Sequence, residues 1–278
     1  MLNLLEPGTI VELPAGEVTS AVTIPSGITL RGANYGKKAT SAERENETVF
    51  SSLVTFNGKA SVDGVTITAR PTFVDTEEVT FLNTIMTDID LSGITDHLAA
   101  AIIGINNWEN SVKLNFEGCY FGDNTNCYNA FELNVKVADG TVIKNNMFST
   151  DVCNHNVMNI YAVDDGATII IEDNEFAKSA NAIRIGTKGD SQNVHFIIDG
   201  NMYETTDTQH PDYAGLLLIQ PYGRATTGMG GLRIDIDNTI NNSGVEQLWY
   251  YYAGGDDAQL EVEDKPKIYV NGVEQSYV

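Results

Sequence analysis

The chain has 278 residues, enough for a large core, and 38 Asp+Glu against 16 Lys+Arg leave it with a formal charge of −22. Nucleic-acid binders need a basic stripe, and proteins that dock on anionic membranes need basic clusters, so neither partner is expected. The acidity reads either as a solvated, solubility-promoting surface or as a surface for cations or a basic partner.

In chain order, the first residues, Met1-Leu2-Asn3-Leu4-Leu5-Glu6-Pro7, lack the basic start and long apolar run of a signal peptide. The expected place of synthesis and folding is a cytoplasm. Pro7-Gly8, Pro14-Ala15-Gly16 and Pro25-Ser26-Gly27 punctuate short extended stretches at Thr9–Leu13, Val22–Ile24 and Ile28–Arg31. Three- to five-residue strands between Pro/Gly turns are what one coil of a β-solenoid requires. Residues 36–50 carry Lys37, Lys38 and Arg44 but no core pattern, and read as an inserted loop. The strand pattern resumes at 62–67 and 81–86. A second insertion is expected at 88–111, where 97–103 fits a helical turn or a buried strand equally well.

From Lys113 to Tyr203 one pattern recurs: Phe116-Glu117-Gly118-Cys119-Tyr120-Phe121, Ile143-Lys144-Asn145-Asn146-Met147-Phe148, Ile171-Glu172-Asp173-Asn174-Glu175-Phe176 and Ile198-Asp199-Gly200-Asn201-Met202-Tyr203. The starts at 116, 143, 171 and 198 lie 27, 28 and 27 residues apart. Such a period means stacked repeats, each burying its apolar face against its neighbours. The absence of a sustained 3.6-residue period makes the repeats strands. The expected fold is all-β, a right-handed parallel β-helix of about 27-residue coils. Phe121, Phe148, Phe176 and Tyr203 should stack about 4.8 Å apart. Asn146, Asn174 and Asn201 should occupy a left-handed turn position and bond their vertical equivalents. Glu117, Lys144, Glu172 and Asp199 should form an outward column. A second strand follows each aromatic, at 130–133, 158–161, 182–185 and 215–219, and the variable gap before it holds further insertions at 204–214 and 221–231.

The last coil runs through Leu232–Asn238 and Leu248–Tyr252, and Asn271-Gly272 marks a hairpin. An open end exposes unpaired strand edges, so 1–255 reads as the solenoid and 256–278 as a cap or an arm onto a neighbour. Cys119, Cys127 and Cys153 are too few and odd in number for a disulfide framework; Cys127 and Cys153 fall at similar offsets and could stack as thiols.

Leu13-Pro14-Ala15-Gly16, followed by Thr23-Ile24-Pro25-Ser26-Gly27-Ile28-Thr29-Leu30-Arg31-Gly32-Ala33, resembles the opening coils of right-handed parallel β-helix proteins of the pectate-lyase-like group. That group includes polysaccharide lyases and hydrolases, bacterial surface proteins, and bacteriophage tailspikes and other virion proteins. Against the hydrolase motifs of the group, Asp164-Asp165 matches an aspartate pair and Arg184-Ile185 begins an Arg-Ile-Lys motif that continues with Gly186. No Gly-His-Gly or Asn-Thr-Asp is present, and Asp164-Asp165-Gly166 reads more simply as a turn. The remaining candidates for catalysis are Asp207, His210, Asp212 and Arg224, in the inserted segments. No metal or cofactor is expected.

The aromatic residues Trp249, Tyr250, Tyr251, Tyr252, Tyr222 and Trp108 could serve as core, as stacking surface for sugars or as a subunit interface; the interface reading is preferred. In character the chain is closest to bacteriophage β-helix proteins. The expected function is that of a non-enzymatic structural protein of the virion, in capsid decoration or in a tail or fibre. It would adhere to other virion proteins, as a homo-oligomer with a trimer as one arrangement. The alternative is a polysaccharide-active lyase or glycosidase, or a module binding a surface glycan.

Overall fold

The structure is a computed structural model that describes residues 2–149, 156–179, 181–187, 193–205, 215–221, 229–242, 248–252 and 265–277. Apart from a single 3-10 turn at Leu2–Leu4, its regular elements are strands, arranged as a 17-stranded and a 9-stranded sheet. Among the described residues every strand pairing is parallel except the last, where Tyr269 and Val270 pair antiparallel with Glu274 and Val273. The architecture is all-β with long parallel sheets, consistent with a solenoid.

Strands fall on three faces that recur once per coil. The first face contains Thr141–Lys144, Thr168–Glu172, Val194–Asp199, Leu232–Asp237 and Lys267–Val270. The second contains Tyr120–Phe121, Met147–Phe148, Glu175–Ser179 and Met202–Thr205. The third contains Asn129–Val137, Asn156–Val163, Asn181–Thr187 and Gly215–Pro221. The long strand Ala101–Glu117 belongs to two faces: Ala101–Val112 pairs with the third and Asn115–Glu117 with the first, across an irregularity between Asn107 and Ser111. Bending at this bulge joins first and third faces into one sheet.

Register is set by inward residues. Leu30, Val62, Phe81, Phe116, Ile143, Ile171, Ile198 and Ile236 are vertical partners on the first face, and all are buried. On the second face Phe121 aligns with Phe148, Phe148 with Phe176 and Phe176 with Tyr203. Their rings stack: 4.8 Å and 8° between Phe121 and Phe148, 5.2 Å and 13° between Phe148 and Phe176. Phe131 of the third face reaches across to both columns, 4.7 Å from Phe116 and 5.3 Å from Phe121. The three faces thus share one core, each offset-stacked pair contributing about 0.5–1.5 kcal/mol beyond its buried area.

Between first and second faces the chain turns through one left-handed residue per coil: Gly64, Asn83, Gly118, Asn145, Asp173, Gly200 and Asn238. The left-handed position is therefore the residue before each ladder asparagine, not the asparagine itself as expected. Asn146, Asn174 and Asn201 are buried and serve the vertical bonding. The Asn174 Oδ1 accepts from Asn146 N (3.0 Å) and Asn146 Nδ2 (2.9 Å), and Asn201 Oδ1 does the same for Asn174 (3.0 Å each). Outside, Lys144 Nζ lies 3.2 Å from Glu117 in the charged column.

Two expected insertions differ in the structure. The 88–111 stretch is an excursion only as far as residue 100; from Ala101 it is strand, and 97–100 form a turn. The 36–50 stretch is no extruded loop. Thr48–Phe50 is a second-face strand, and residues 34–47 fold back over the turns of later coils. Ala39 N donates to Gly118 O (2.8 Å), and Arg44 Nη1 donates to Asn83 O (2.7 Å) while its Nε and Nη2 bind Glu47 at 2.9 and 2.6 Å. The strap explains Gly64, where a Cβ would come within 2.1 Å of Tyr35 N. Of the 204–214 insertion, residues 204–205 extend the strand Met202–Thr205 and 206–214 lie outside the described residues. Residues 222–228 also lie outside them, and Pro221 ends a strand.

The tail adds a strand to the first face, Ile268 above Ile234, then folds back as the Val273–Glu274 hairpin arm. Tyr277 meets Trp249 (5.2 Å) and Tyr251 (5.5 Å) edge-on, closing that end of the core.

Candidate functional site on the third face

Alternation along a strand sends Phe131 and Leu133, Met158 and Ile160, and Ile183 and Ile185 inward, so the residues between them face outward. Those residues are Glu132, Asn159 and Arg184, vertical partners on three successive coils. Outward positions of a sheet are ordinarily wet, yet here they are 4%, 1% and 7% exposed. A buried carboxylate is tolerated only if its oxygens are bonded. Glu132 Oε2 accepts from Asn129 Nδ2 (2.6 Å) and Asn159 Nδ2 (2.8 Å), and Oε1 accepts from the Tyr161 hydroxyl (2.9 Å). The Arg184 guanidinium stands 5.7 Å from the Tyr161 ring centroid, and Trp108 meets the same ring edge-on at 6.0 Å.

A second asparagine ladder anchors this cluster. Asn129, Asn156 and Asn181 lie three residues before Glu132, Asn159 and Arg184, and all are buried. Asn129 Oδ1 accepts from Asn156 N (3.1 Å), Asn156 Nδ2 reaches Asn159 Oδ1 (3.1 Å), and Asn181 Nδ2 reaches Asn156 Oδ1 (3.3 Å). Sequence reasoning missed Glu132 and this ladder; the signal was the recurrence of Asn at 129, 156 and 181, at nearly the spacing of the main repeat. Chemically, Glu132 is an acceptor engaged by three donors. Such a group fixes geometry and holds a neighbouring cation; it transfers a proton only after losing one of those bonds.

Of the other sequence candidates, Arg184 joins this column. Asp164 and Asp165 form the turn into the first face. Asp164 N bonds Val137 O, Ala167 N bonds Asp164 O, Gly166 is left-handed, and Ser111 Oγ donates to Asp164 Oδ1 at 2.7 Å. Trp249 and Tyr251 continue the inward columns of Leu217 and Ile219, while Tyr250 aligns with Leu218, which stands above Arg184. Lys265 Nζ sits 4.6 Å over Tyr251 and 4.9 Å over Tyr277. Tyr252 is partly exposed at the strand end. Asp207, His210, Asp212, Tyr222, Arg224 and Cys153 lie outside the described residues. Cys119 is buried, and desolvation pushes its thiol up to about 12. Desolvation likewise pushes the Tyr203 hydroxyl up to about 12. Among the described residues no three His, Cys, Asp or Glu side chains converge on a common point, and no helix is long and apolar enough to cross a membrane.

Comparison of the chain with protein-family models, with curated proteins and with solved structures found no match. What fold and site define together is an all-β protein of long parallel sheets, with a buried acid–amide–guanidinium column on one face.

Proposed function

We propose that the chain is a right-handed parallel β-helix with a structural role in a bacteriophage particle. It would decorate a capsid or form part of a tail or fibre, made in the host cytoplasm, homo-oligomeric, and acting by adhesion to other virion proteins. The observation that supports this reading is how the buried polar groups are used. The ladder at Asn146, Asn174 and Asn201 and two of the three donors on Glu132, Asn159 and Tyr161, bond one coil to the next, which stiffens a rod and leaves its flanks for contact. Deep burial of polar groups that are mutually satisfied is a device of rigidity. The test is light scattering on the pure protein together with retention of identified capsid or tail proteins from a disrupted phage. A monomer that retains none of them overturns the proposal.

A second reading, a polysaccharide-active enzyme or glycan-binding module, is favoured by one feature. Half-buried Trp108 meets Tyr161, which bonds Glu132 and carries Arg184 over its ring, and aromatic rings flanked by charged groups suit sugar rings. Release of reducing or unsaturated ends from uronate-containing glycans, with and without calcium, would establish it over the first.

A further inference from the structure

A different cluster lies at the C-terminal end of the first face. His195, Arg233 and Lys267 are vertical partners on three successive strands, about 4.8 Å apart from coil to coil. In a chain with 16 Lys+Arg against 38 Asp+Glu, basic side chains in direct register are unexpected, because like charges opposite one another on paired strands destabilise a sheet.

One carboxylate offsets them. Asp235, in the next outward column, lies 2.6 Å from His195 Nε2 and 3.0 Å from Arg233 Nε. That leaves the Arg233 Nη groups and Lys267 Nζ with no bond or ion pair to any described residue. Arg233 is held in place all the same, since its guanidinium stands 4.5 Å from the Tyr269 ring centroid. The three side chains line a groove of about 430 Å³ together with Asn193, Gly230 and Gly231. The cationic side chains lining this groove are donors: a guanidinium edge held over Tyr269 and an exposed ammonium. A planar fork with an ammonium beside it matches the oxygens of a phosphate or sulfate group.

We propose that His195, Arg233 and Lys267 form a binding site for a tetrahedral oxyanion, a phosphate or sulfate group. Arg233 supplies the paired donors, Lys267 the second charge from the coil above, and His195, whose Nε2 is held by Asp235, walls the site from the coil below. The remaining negative charge of the chain acts weakly at the site, since fields of exposed charges fade over about 8 Å at physiological ionic strength.

The test is calorimetric titration of the full chain at constant ionic strength with inorganic phosphate, sulfate and glycerol 1-phosphate, with chloride as the control. Saturable one-to-one binding is expected, weakened about tenfold or more in Lys267→Met and in Arg233→Met. Asp235→Asn should tighten it, because the internal counter-charge is gone; a merely structural cluster would give no gain. Tighter binding of the ester than of inorganic phosphate would assign the group to an esterified ligand, and equal binding to the free ion. Absence of saturable binding by all three anions overturns the proposal, as does binding that Lys267→Met, at an exposed position, leaves unchanged.

Discussion

Replacing Asn174 by alanine removes one rung from the main ladder, and the consequences can be counted bond by bond. The side chain accepts from Asn146 N and Nδ2 and donates to Ile143 O (2.9 Å) and to Asn201 Oδ1. Asn146 Nδ2 keeps Phe116 O at 3.0 Å, and Asn201 Oδ1 keeps Asn174 N at 3.0 Å. The backbone N–H of Asn146 keeps nothing. An orphaned buried donor costs about 1–3 kcal/mol, and each lost bond whose partner stays satisfied about 1 kcal/mol. The sum is about 4–6 kcal/mol, in a position only 1% exposed where water cannot substitute. With a urea slope of about 3 kcal/mol/M, the midpoint should fall by about 1.5–2 M at unchanged slope. Amide exchange at Asn146 should accelerate more than at Ile171, which lies in the first-face ladder. The control is Lys144→Ala on the preceding coil, whose half-exposed pair with Glu117 is worth at most about 1 kcal/mol. If Asn174→Ala unfolds at the same urea concentration as Lys144→Ala, the ladder does not hold the coils together and the reasoning fails.

Phe148→Ala opens a cavity between two stacked rings and should cost about 3–5 kcal/mol by urea unfolding; a loss under about 1 kcal/mol would mean the column collapses freely. Glu132→Ala strands three donors and should cost several-fold more than Glu132→Gln, whose carbonyl still accepts from Asn129 and Asn159 while its amide meets the adaptable Tyr161 hydroxyl; equal losses would place the network's worth elsewhere. For Asp235, burial raises the pKa, but the bonds from Arg233 and His195 outweigh it and hold the carboxyl below the usual aspartate range. Its stabilisation is thus present above the unfolded-state pKa of about 3.9 and lost as pH falls through the lower folded value. The stability difference between wild type and Asp235→Asn should accordingly shrink on acidification through that window, and a constant difference would contradict the assignment. With its thiol pushed up to about 12 by burial, Cys119 should resist iodoacetamide at pH 8 until the chain unfolds, as peptide mass spectrometry would show; labelling of the native protein would refute this.

The columns that could be read from the sequence are those whose coils have equal length. Phe121, Phe148 and Phe176 recur because the whole coil between them is 27 and then 28 residues long. Leu30, Val62, Phe81 and Phe116 are just as strictly aligned, but lie 32, 19 and 35 residues apart, so no period reveals them. The Glu132 column was hidden differently: its members share a position but no chemistry, and alternation marks all three as solvent-facing. Only the asparagines three residues earlier repeat in identity. The strap was illegible because Arg44 binds main-chain carbonyls, Asn83 O and Lys37 O, and a carbonyl offers no signature of the residue that carries it.

The extent of the ladder follows from the turn beneath it. Each left-handed residue between first and second faces directs the next N–H toward the neighbouring coil, out of reach of the sheet bonds. Asn146 Oδ1 captures Cys119 N at 2.9 Å, Asn174 captures Asn146 N and Asn201 captures Asn174 N. The asparagine thus serves the coil below, while its Nδ2 binds a carbonyl of the first-face strand one coil below: Phe116 O, Ile143 O and Ile171 O in turn. That double reach requires consecutive coils to keep one rise and one register. At the equivalent position below the run stand Cys119 and then Thr84, and above it Thr239; the two threonine hydroxyls turn to carbonyls of their own coil, Leu82 O and Asp237 O. Between Thr84 and Cys119 the column spacing breaks to 35 residues, and above Asn201 the 204–214 and 221–231 insertions begin. Asparagine is therefore expected where the coil directly below has the regular length, and threonine or cysteine where it does not. Asn201→Thr should accordingly lose both the Asn174 N–H and the Ile171 O contacts, and destabilise by an amount close to Asn174→Ala. Thr239→Asn, with no regular coil to serve, should leave stability unchanged.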